Sequence, residues 1–486
     1  MLTKLGLLAT LIGLPLAITP TVPHEAPTPR SVYVTNILSN NITRFAIQQD
    51  GGLTADTKLT ATDAAPRGIV ISPDARTVYV ANGTAGTITT YRVGADGGLT
   101  ALSPSTPTPA DPDDAVVSPD GQRLYVISRS AAMVTMFPIA SDGRLTTPGT
   151  SVPVLGENPR GMAMTPDGRN LYVTTGDPVA DTEPDVLVRF AVQEKGTLKR
   201  LGTTPIGAAG GAMALTPDGR FLFVPCAARH EGEASHEVFV FRVDSDGALT
   251  PVPDSPFPAP DVPIAAAVTP DGRNLYVTDG GLIGSGSRLV SAYTIRANGS
   301  LDHIADVKAG KSPVALAPAP DGRWLYVSNL DSNDASAFRI KPGGELEELD
   351  GSPYPTGGMR PAFQSIAVLP NQGPQAALAV GETTGLEARF DASTSSDPDG
   401  NVVRYDWAFG DGTVLRDGGP RPTHRFPAPG TYQVTLVITD DQGCSTGLIF
   451  TGTSTQCNGS ARASAQQAVT VTSGLGGDPQ GSPTGK

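Results

Sequence analysis

The chain has 486 residues, of which 56 are glycine and 45 are proline, and it carries a formal net charge of −13 at pH 7. Glycine and proline both destabilise helix interiors, so the composition excludes an all-α fold, and the length indicates two or three folded units. The acidic balance repels phosphate backbones and argues against a nucleic acid partner.

Residues 1–26 are predicted to be a secretory signal peptide. Lys4 precedes an apolar stretch over residues 5–18, which is shorter than the roughly 20 residues that span a bilayer but suits a signal sequence. An uncleaved membrane anchor is the alternative. No later apolar stretch is long enough to span a membrane, so we expect a mature chain that is secreted or displayed at the cell surface, and a monomer.

A repeat of about 50 residues runs from residue 30 to residue 370. An aromatic-Val segment such as TVYVAN or NLYVTD follows each of its first six turns, and one more copy, SVYVTN, precedes the first turn. A small apolar segment precedes each turn, and two further segments follow the aromatic one, which predicts four antiparallel strands per unit. The turns are Pro-Asp-Gly or a near variant, 46 to 53 residues apart, beginning at Pro73, Pro119, Pro166, Pro217, Pro270, Pro320 and Pro370.

The phase of this repeat predicts a closed ring. The first unit begins at its second strand, and the last copy of the first strand, residues 365–369, has no second strand after it. Seven complete sheets result only if this last strand joins the first sheet, which also removes exposed strand edges. We therefore expect an all-β protein with a seven-bladed β-propeller over residues 30–370.

The YVTN, YVAN and YVSN segments beside Pro-Asp-Gly turns resemble the YVTN-repeat propellers. The layout is similar to the lactonase family, whose members include bacterial 6-phosphogluconolactonase and fungal muconate cycloisomerase. The resemblance implies the seven-bladed fold and, as an activity, hydrolysis of a sugar or related lactone.

Residues 374–473 closely resemble a PKD domain. The blocks FDASTSSDPDG, YDWAFGDGT and HRFPAPGTYQVTLVITDDQG stand in the order that PKD domains show. The resemblance implies a C-terminal immunoglobulin-like β-sandwich that spaces domains or contacts polysaccharide or protein. Trp407 and Phe409 lie on one face of a strand, so both are predicted to enter the core. Residues 474–486 are expected to be a flexible tail.

Cysteine use fits an exported protein. Cys444 and Cys457 are close in sequence and are predicted to form a disulfide that pins an insertion before the last strand of the sandwich. Cys226 is expected to be a buried structural thiol. Asp397 and Asp399 either bind Ca²⁺ or form a plain Asx turn. No other cofactor is expected, and a divalent cation is the open alternative.

Arginines before the small apolar strand are the first candidates for catalysis. Arg67 and Arg160 stand in APRGIVIS and NPRGMAMT, and Arg360, in MRPAFQSIAV, is a looser third match and a candidate ligand-binding residue. Lactonase-like propellers carry an Arg-His pair there, whereas Gly68 and Gly161 follow here. Converging arginines hold a carboxylate or a lactone carbonyl, or they form ion pairs with a neighbouring blade. The family's P-H-x-H segment is missing, and VPIAAAV stands in its place.

Two long loops carry the remaining candidates. His230 and Glu231 are candidates for general acid and base, and Asp177, Asp185 and His236 are candidates for ligand binding. The two histidines are six residues apart, which matches no recognised metal signature, so no metal is assigned. The alternative is a solvated polar loop.

Three functions are compatible with the sequence. A secreted protein that binds extracellular carbohydrate or protein fits the export signal, the PKD domain and the missing histidine segment. A lactone hydrolase fits the propeller type and the arginines. A metal-dependent enzyme that uses the histidine loop is the third.

Overall fold

A computed structural model describes residues 30–156, 158–176, 185–207, 209–227, 236–280 and 287–473. These residues form strands and turns, with two single-turn 3₁₀ helices at Glu194–Gly196 and Ala461–Ala463. The predicted signal peptide and the predicted tail lie outside the described residues. Within the described ranges, no helix is long and apolar enough to cross a membrane.

Seven antiparallel sheets follow one another along the first three quarters of the chain. The first blade has β1 (Ser31–Asn36), β2 (Asn41–Ile47), β3 (Leu53–Ala55) and β4 (Thr60–Ala61), and the second has β5 (Pro66–Ile71), β6 (Thr77–Asn82), β7 (Thr87–Val93), β8 (Leu99–Ala101) and β9 (Thr106–Pro107). The third has β10 (Pro112–Val117), β11 (Arg123–Ser128), β12 (Met133–Pro138) and β13 (Thr150–Pro153), and the fourth has β14 (Met162–Met164), β15 (Asn170–Thr174), β16 (Val186–Val192) and β17 (Leu198–Pro205).

The remaining blades repeat this order. The fifth has β18 (Ala214–Leu215), β19 (Phe221–Ala227), β20 (His236–Val243), β21 (Leu249–Pro251) and β22 (Phe257–Pro258), and the sixth has β23 (Ala265–Val268), β24 (Asn274–Asp279), β25 (Leu289–Ile295) and β26 (Leu301–Lys308). The seventh has β27 (Pro313–Pro318), β28 (Trp324–Asn329), β29 (Asp334–Ile340), β30 (Leu346–Glu348) and β31 (Tyr354–Pro355), and β32 (Pro361–Val368) follows it.

The ring closes as the phase of the repeat predicts. β32 pairs antiparallel with β1, and the register aligns Val368 with Val32 and Ile366 with Val34. The first blade therefore receives its innermost strand from the end of the propeller. This pairing leaves no unpaired inner edge between the first and last units, which confirms the seven-bladed β-propeller.

The aromatic residue of the repeat ties each blade to the next. In six blades the tyrosine hydroxyl donates to the carbonyl of the glycine that turns between the third and fourth strands of the following blade, at 2.6–3.0 Å. These tyrosines are buried, so each hydrogen bond satisfies a polar group that burial would otherwise leave unpaired. The fifth blade has Phe223 at this position and lacks the hydroxyl. The pairs are Tyr33–Gly97, Tyr79–Gly143, Tyr125–Gly196, Tyr172–Gly247, Tyr276–Gly344 and Tyr326–Gly51.

The C-terminal domain is an immunoglobulin-like sandwich. Its strands are β33 (Ala379–Thr384), β34 (Glu387–Asp391), β35 (Val402–Ala408), β36 (Val414–Leu415), β37 (Thr423–Arg425), β38 (Gly430–Asp440), β39 (Ile449–Phe450), β40 (Thr455–Cys457) and β41 (Ser464–Val471). One sheet has the order β33-β34-β37 and the other the order β36-β35-β38-β41. Trp407 and Phe409 are both 1% exposed and pack in one core, as the strand pattern predicts.

An insertion leaves this sandwich and reaches the propeller. It begins and ends at the predicted disulfide, which joins Cys444 to Cys457 with their Cα atoms 5.5 Å apart. β39 and β40 form a hairpin within it. Phe450 is 1% exposed and packs among the fourth-blade residues Met162 and Met164. The insertion is therefore part of a shared core between the two domains.

Candidate functional site at the upper mouth of the channel

The innermost strands enclose a central channel. We call the end at which these strands begin the upper mouth, and the end at the Pro-Asp-Gly turns the lower mouth. Nine alanines from five blades line a cavity of about 80 Å³ in this channel. A water needs roughly 10–15 Å³ measured this way, so the cavity holds only a handful of water-sized groups. A sugar-sized ligand is therefore too large for this cavity, and within the channel it has room only at a mouth.

One residue per blade stands at the same place around the upper mouth. In each blade this residue lies three positions before the innermost-strand residue that pairs with the tyrosine or phenylalanine of the aromatic-Val strand. We call this set the mouth ring. From the first blade to the seventh its members are Gln364, Arg67, Asp113, Arg160, Gly211, Ile264 and Val314.

The mouth ring has two chemically different halves. Blades one to four contribute an amide, two guanidinium groups and a carboxylate, whereas blades five to seven contribute glycine, isoleucine and valine. The apolar half includes the VPIAAAV segment in which the family's histidines are missing. Among the described residues of the ring, a ligand therefore meets hydrogen-bonding groups in blades one to four and glycine or apolar side chains in blades five to seven.

Arg67 is held by carboxylates of the neighbouring third blade. Its Nη1 lies 2.7 Å from Asp113 Oδ1 and 3.0 Å from Asp111 Oδ1. The Thr35 hydroxyl donates to the Arg67 carbonyl at 2.6 Å. A Cβ on Gly83 would lie 2.8 Å from Arg67 Nε, so glycine there leaves room for the guanidinium. Arg67 therefore forms the ion pair with a neighbouring blade that the sequence analysis gave as the alternative to ligand binding.

These contacts continue into the fourth blade. Arg129 donates from Nε and Nη2 to Asn158 Oδ1 at 3.0 and 2.8 Å. Its Nη1 lies 3.8 Å from Asp113 Oδ1, so Asp113 stands between Arg67 and Arg129. We call Arg67, Asp111, Asp113, Arg129 and Asn158 the arginine–aspartate arc. The arc spans three consecutive blades on one side of the upper mouth.

Arg160 meets the first blade across the channel. Its guanidinium carbon lies 5.6 Å from the centre of the Phe363 ring, a cation–π distance. The Gln364 amide donates to the Arg160 carbonyl at 3.2 Å. Blades one and four stand nearly opposite one another in a seven-membered ring, so Gln364 spans the top of the channel.

Asp114 is a buried carboxyl group on the channel wall. It is 4% exposed, and it accepts from the backbone N–H groups of Ala115 at 2.7 Å and Met162 at 3.1 Å. Burial raises the pKa of Asp114 well above its usual range. The hydrogen bond from Met162 joins the Asp114 carboxyl group of the third blade to the fourth blade.

The structure corrects the place assigned to Arg360. The register puts Gln364, and not Arg360, at the repeat position of Arg67 and Arg160. Arg360 lies in the preceding loop with a φ of 58°, and its Nη2 is 3.5 Å from Asp331 Oδ1. It therefore stands outside the mouth ring.

The two long loops fall mostly outside the described residues. His230, Glu231 and Asp177 lie there, and their assignments stay predictions. Asp185 is 8% exposed, and its carboxylate accepts from the backbone N–H of Ala209. His236 begins β20, and its Nε2 is buried without a hydrogen bond among the described residues. The hydrogen bond from the Ala209 backbone gives the Asp185 carboxylate a structural role.

Asp279 ends the aromatic-Val strand of the sixth blade, where three other blades have asparagine. It is 0% exposed, and burial raises its pKa to about 8. Ser291 Oγ lies 2.6 Å from its Oδ2 and 2.8 Å from Asp306 Oδ1. A hydroxyl has one proton, so a protonated Asp279 donates to Ser291 while Ser291 donates to Asp306. The asparagines Asn82 and Asn329 donate in the same way.

Metal ligation has limited support among the described residues, where no three His, Cys, Asp or Glu side chains are grouped to hold an ion. Asp397 is nevertheless 4% exposed, and neither of its carboxylate oxygens has a hydrogen-bond partner within the described ranges. Burial and the nearby Asp399, Asp440 and Asp441 raise its pKa to about 8. The Ca²⁺ alternative for Asp397 and Asp399 stays a prediction.

Sequence reasoning missed several residues of this mouth. Asp113, Asp114, Arg129, Asn158 and Gln364 were not singled out, although Asp113 and Gln364 share the offset of Arg67 from the following turn. Counting back five residues from the residue before each turn proline would have found both. Arg129 and Asn158 belong to loops, and only their contacts reveal them.

Comparison with known families agrees with this architecture. A family model described as a lactonase, 7-bladed beta-propeller, matches residues 24–113, 99–178 and 232–359, more than half of the chain. The chain belongs to this lactonase family. A PKD domain model matches residues 371–454. The recognition of both domains from the sequence is thus confirmed.

Solved structures of lactonase-like propellers share the fold. A putative 6-phosphogluconolactonase from Bacteroides uniformis is 19% identical, with a TM-score of 0.60, over 70% of this chain and 99% of that one. The periplasmic gluconolactonase PpgL from Pseudomonas aeruginosa is 21% identical, with a TM-score of 0.56, over 70% of this chain and 99% of that one. At these identities the likeness shows the fold of this family member alone.

Curated relatives match only a short stretch. The pre-pro-metalloprotease PrtV of Vibrio cholerae is 47% identical over 53 residues, which are 11% of this chain and 6% of that protein. The collagenase ColA of Clostridium perfringens is 39% identical over 57 residues, which are 12% of this chain and 5% of that protein. The chain thus spans about a twentieth of these relatives' length, and their activities do not carry over.

Proposed function

We propose that this lactonase-family protein acts outside the cytoplasm and binds a small polar ligand of the sugar-lactone or sugar-acid class at the upper mouth of its propeller. This proposal rests on the mouth ring, which is polar in blades one to four and contains glycine, isoleucine and valine in blades five to seven. A sugar-derived ring has hydroxyl and carbonyl groups at its rim and apolar C–H faces, which match the polar and apolar halves of the ring. The disulfide and the PKD domain support an extracellular site of action.

Charge narrows the class of ligand. Every described arginine of the arginine–aspartate arc lies within 4 Å of a carboxylate, so the arc offers little net positive charge to a phosphate group. A neutral lactone or a singly charged sugar acid suits this mouth better than a phosphorylated sugar. The similar structure PpgL is a periplasmic gluconolactonase, which agrees with an unphosphorylated sugar outside the cytoplasm.

Lactone hydrolysis is the second candidate, and family membership favours it. Attack of water on the lactone carbonyl would break the ring C–O bond and give the hydroxy acid. Arg160 is the group suited to stabilise the developing oxyanion, and Asp111, whose side chain is 26% exposed, is the carboxylate suited to accept a proton from water. An extracellular carbohydrate or protein ligand of the PKD domain is compatible with either candidate.

Ligand titration tests the binding proposal. Residues 27–486 are titrated with D-gluconate and D-gluconolactone by calorimetry, as wild type and as Arg160→Gln. Losing one charge-assisted hydrogen bond costs about 1.5–3 kcal/mol, so Kd should rise at least about tenfold in the variant. Arg169→Gln is the matched control, because this 80% exposed arginine follows a Pro-Asp-Gly turn at the lower face.

The outcomes separate the two candidates. Binding without release of acid above the spontaneous rate supports a binding protein. Acid release that Asp111→Asn lowers in kcat but not in KM supports hydrolysis. Saturable binding that Arg160→Gln and Arg169→Gln leave equally strong would move the ligand away from the upper mouth and overturn the proposal.

A further inference from the structure

The PKD insertion touches the propeller at its lower mouth. The backbone N–H of Met164 donates to the Gly452 carbonyl at 2.8 Å, and the N–H of Leu215 donates to the Thr451 carbonyl at 3.0 Å. Met164 and Leu215 are the last residues of β14 and β18, the innermost strands of the fourth and fifth blades. The insertion therefore continues the hydrogen bonding of two inner strands at the end of the channel.

The same insertion lines the cavity of the channel. Thr451, Thr453, Ser454, Thr455 and Gln456 face the cavity beside alanines of the sixth and seventh blades. Thr451, Thr455 and Gln456 are 3–5% exposed, so the tip lies inside the lower mouth and not on its rim. The Asn371 N–H donates to the Gln456 carbonyl at 3.0 Å, which fastens the tip to the chain that leaves the propeller.

We propose that this insertion is a stopper that closes the lower mouth, so that the channel is a pocket with a single entrance at the upper mouth. The PKD domain then supplies the floor of the pocket and is fixed to the propeller, unlike the free spacer that its family resemblance implies. The disulfide joins the two ends of the stopper and limits how far its tip can withdraw. The stopper does not depend on which ligand the mouth ring binds.

Gly452 offers a way to displace the tip without removing it. Its φ is +95°, and a Cβ there would lie 3.1 Å from the Leu215 nitrogen and 3.3 Å from the Ala163 Cβ. Gly452→Ala therefore combines backbone strain with a steric conflict against two blades. Gly447→Ala is the matched control in the same insertion, because a Cβ at Gly447 meets nothing within 4 Å.

Two engineered thiols report access from each end. Ala265 and Ala267 line the cavity on one strand, with Ala265 nearer the upper mouth and Ala267 nearer the lower. Ala265→Cys and Ala267→Cys are each combined with Gly452→Ala or Gly447→Ala and treated with a small methanethiosulfonate reagent. Gly452→Ala should speed the reaction at position 267 at least about tenfold and leave position 265 within about twofold.

Amide exchange gives an independent measurement. The Met164 and Leu215 amides should exchange faster in Gly452→Ala than in Gly447→Ala, while the amides of Val80 and Val126 in other blades stay equally protected. Cys226 is 0% exposed and should stay unreactive in every variant if the propeller remains folded. If Gly452→Ala, compared with Gly447→Ala, changes the reaction rates at positions 265 and 267 by the same factor, or leaves Met164 and Leu215 exchange unchanged, the stopper is overturned.

Discussion

Blades with the same backbone differ in chemistry because single side chains differ at equivalent positions of the repeat. The mouth ring shows this at the upper mouth, where glutamine, arginine, aspartate and valine occupy one backbone position in different blades. The last residue of the aromatic-Val strand shows it again. Asn36, Asn82 and Asn329 each donate from Nδ2 to the third strand of their own blade. Asp279 can donate to the third strand as these asparagines do only when it is a neutral acid, because an ionised carboxylate has no proton to donate.

The Asp279→Asn variant should be more stable than the wild type at high pH, and the difference should grow as pH rises. Asp279 has a folded pKa of about 8, against about 3.9 in an unfolded chain, so the folded state holds a proton that the unfolded state releases between these values. Its contribution to stability is full below about pH 4 and is lost as pH rises through about 8. Asn cannot titrate, and one unit of pKa shift corresponds to about 1.4 kcal/mol, so we expect the stability gained by the variant to be about 4 kcal/mol larger at pH 9 than at pH 5. Thermal unfolding at both pH values measures it.

The reciprocal variant is the control. Asn82→Asp places a carboxyl group in the same environment of the second blade, where Asn82 is 0% exposed. Its stability should fall as pH rises from 5 to 9. A pH-independent difference for both variants would show that Asp279 does not hold a proton in the folded state.

At the scale of the element, the aromatic-Val strand is a connector between blades. Its valines fill the layers between sheets, and its tyrosine hydroxyl reaches the glycine turn of the next blade. Valine, tyrosine and phenylalanine favour strands, so local preference and inter-blade contact act together. The turn glycines adopt positive φ, as at Gly143 with 88°, which directs the carbonyl toward the tyrosine without strain.

Tyr79→Phe should destabilise the propeller by about 1 kcal/mol, because the Gly143 carbonyl loses its buried donor. Phe223→Tyr is the opposite change at the one interface that lacks the hydroxyl, and we expect it to raise stability, since the corresponding turn glycine of the next blade is Gly299. Denaturant unfolding of both variants measures these effects. Equal destabilisation by both would indicate that ring packing, and not the hydroxyl, sets the strength of this interface.

For the whole molecule, the chain holds its ring closed at two places. β32 pairs with β1 inside the first blade, and the PKD insertion docks under the fourth and fifth blades. Between them, Gln372 Nε2 donates to the Pro73 carbonyl of the second blade at 3.0 Å. The two domains therefore form one packed body at the lower face.

Two truncations separate these contributions. A chain ending at residue 373 keeps β32 and should fold with a lower Tm, because Met162 and Met164 lose the Phe450 side chain, whose burial is worth about 1.5–3 kcal/mol. A chain ending at residue 360 lacks β32, leaves β1 with an open edge and should not unfold cooperatively. Circular dichroism melts measure both. A cooperative melt of the shorter chain at the Tm of the longer one would show that β32 is dispensable for closure.

The sequence by itself determined the fold class, the blade count and the ring closure, because a repeat with complementary ends admits one closed arrangement. It also determined the PKD core and the disulfide, which depend on local pattern and on close spacing. It indicated Arg67 and Arg160 by their offset from the turns, but it placed Arg360 wrongly, because β32 is bulged between its pairings with Val34 and Asn36. Asp113 and Gln364 shared the same offset and were overlooked.

Only the tertiary structure decided which groups meet. The partners Arg67 and Asp113 are 46 residues apart, Gln364 and Arg160 are 204 apart, and the stopper reaches strands more than 200 residues before it. The contacts between blades follow from the angle between neighbouring blades. The contacts of the stopper follow from the path of an insertion that is not part of the repeat. Local propensity and spacing carry no information on either, so the two-sided mouth and its closed lower end appear only when the ring is assembled.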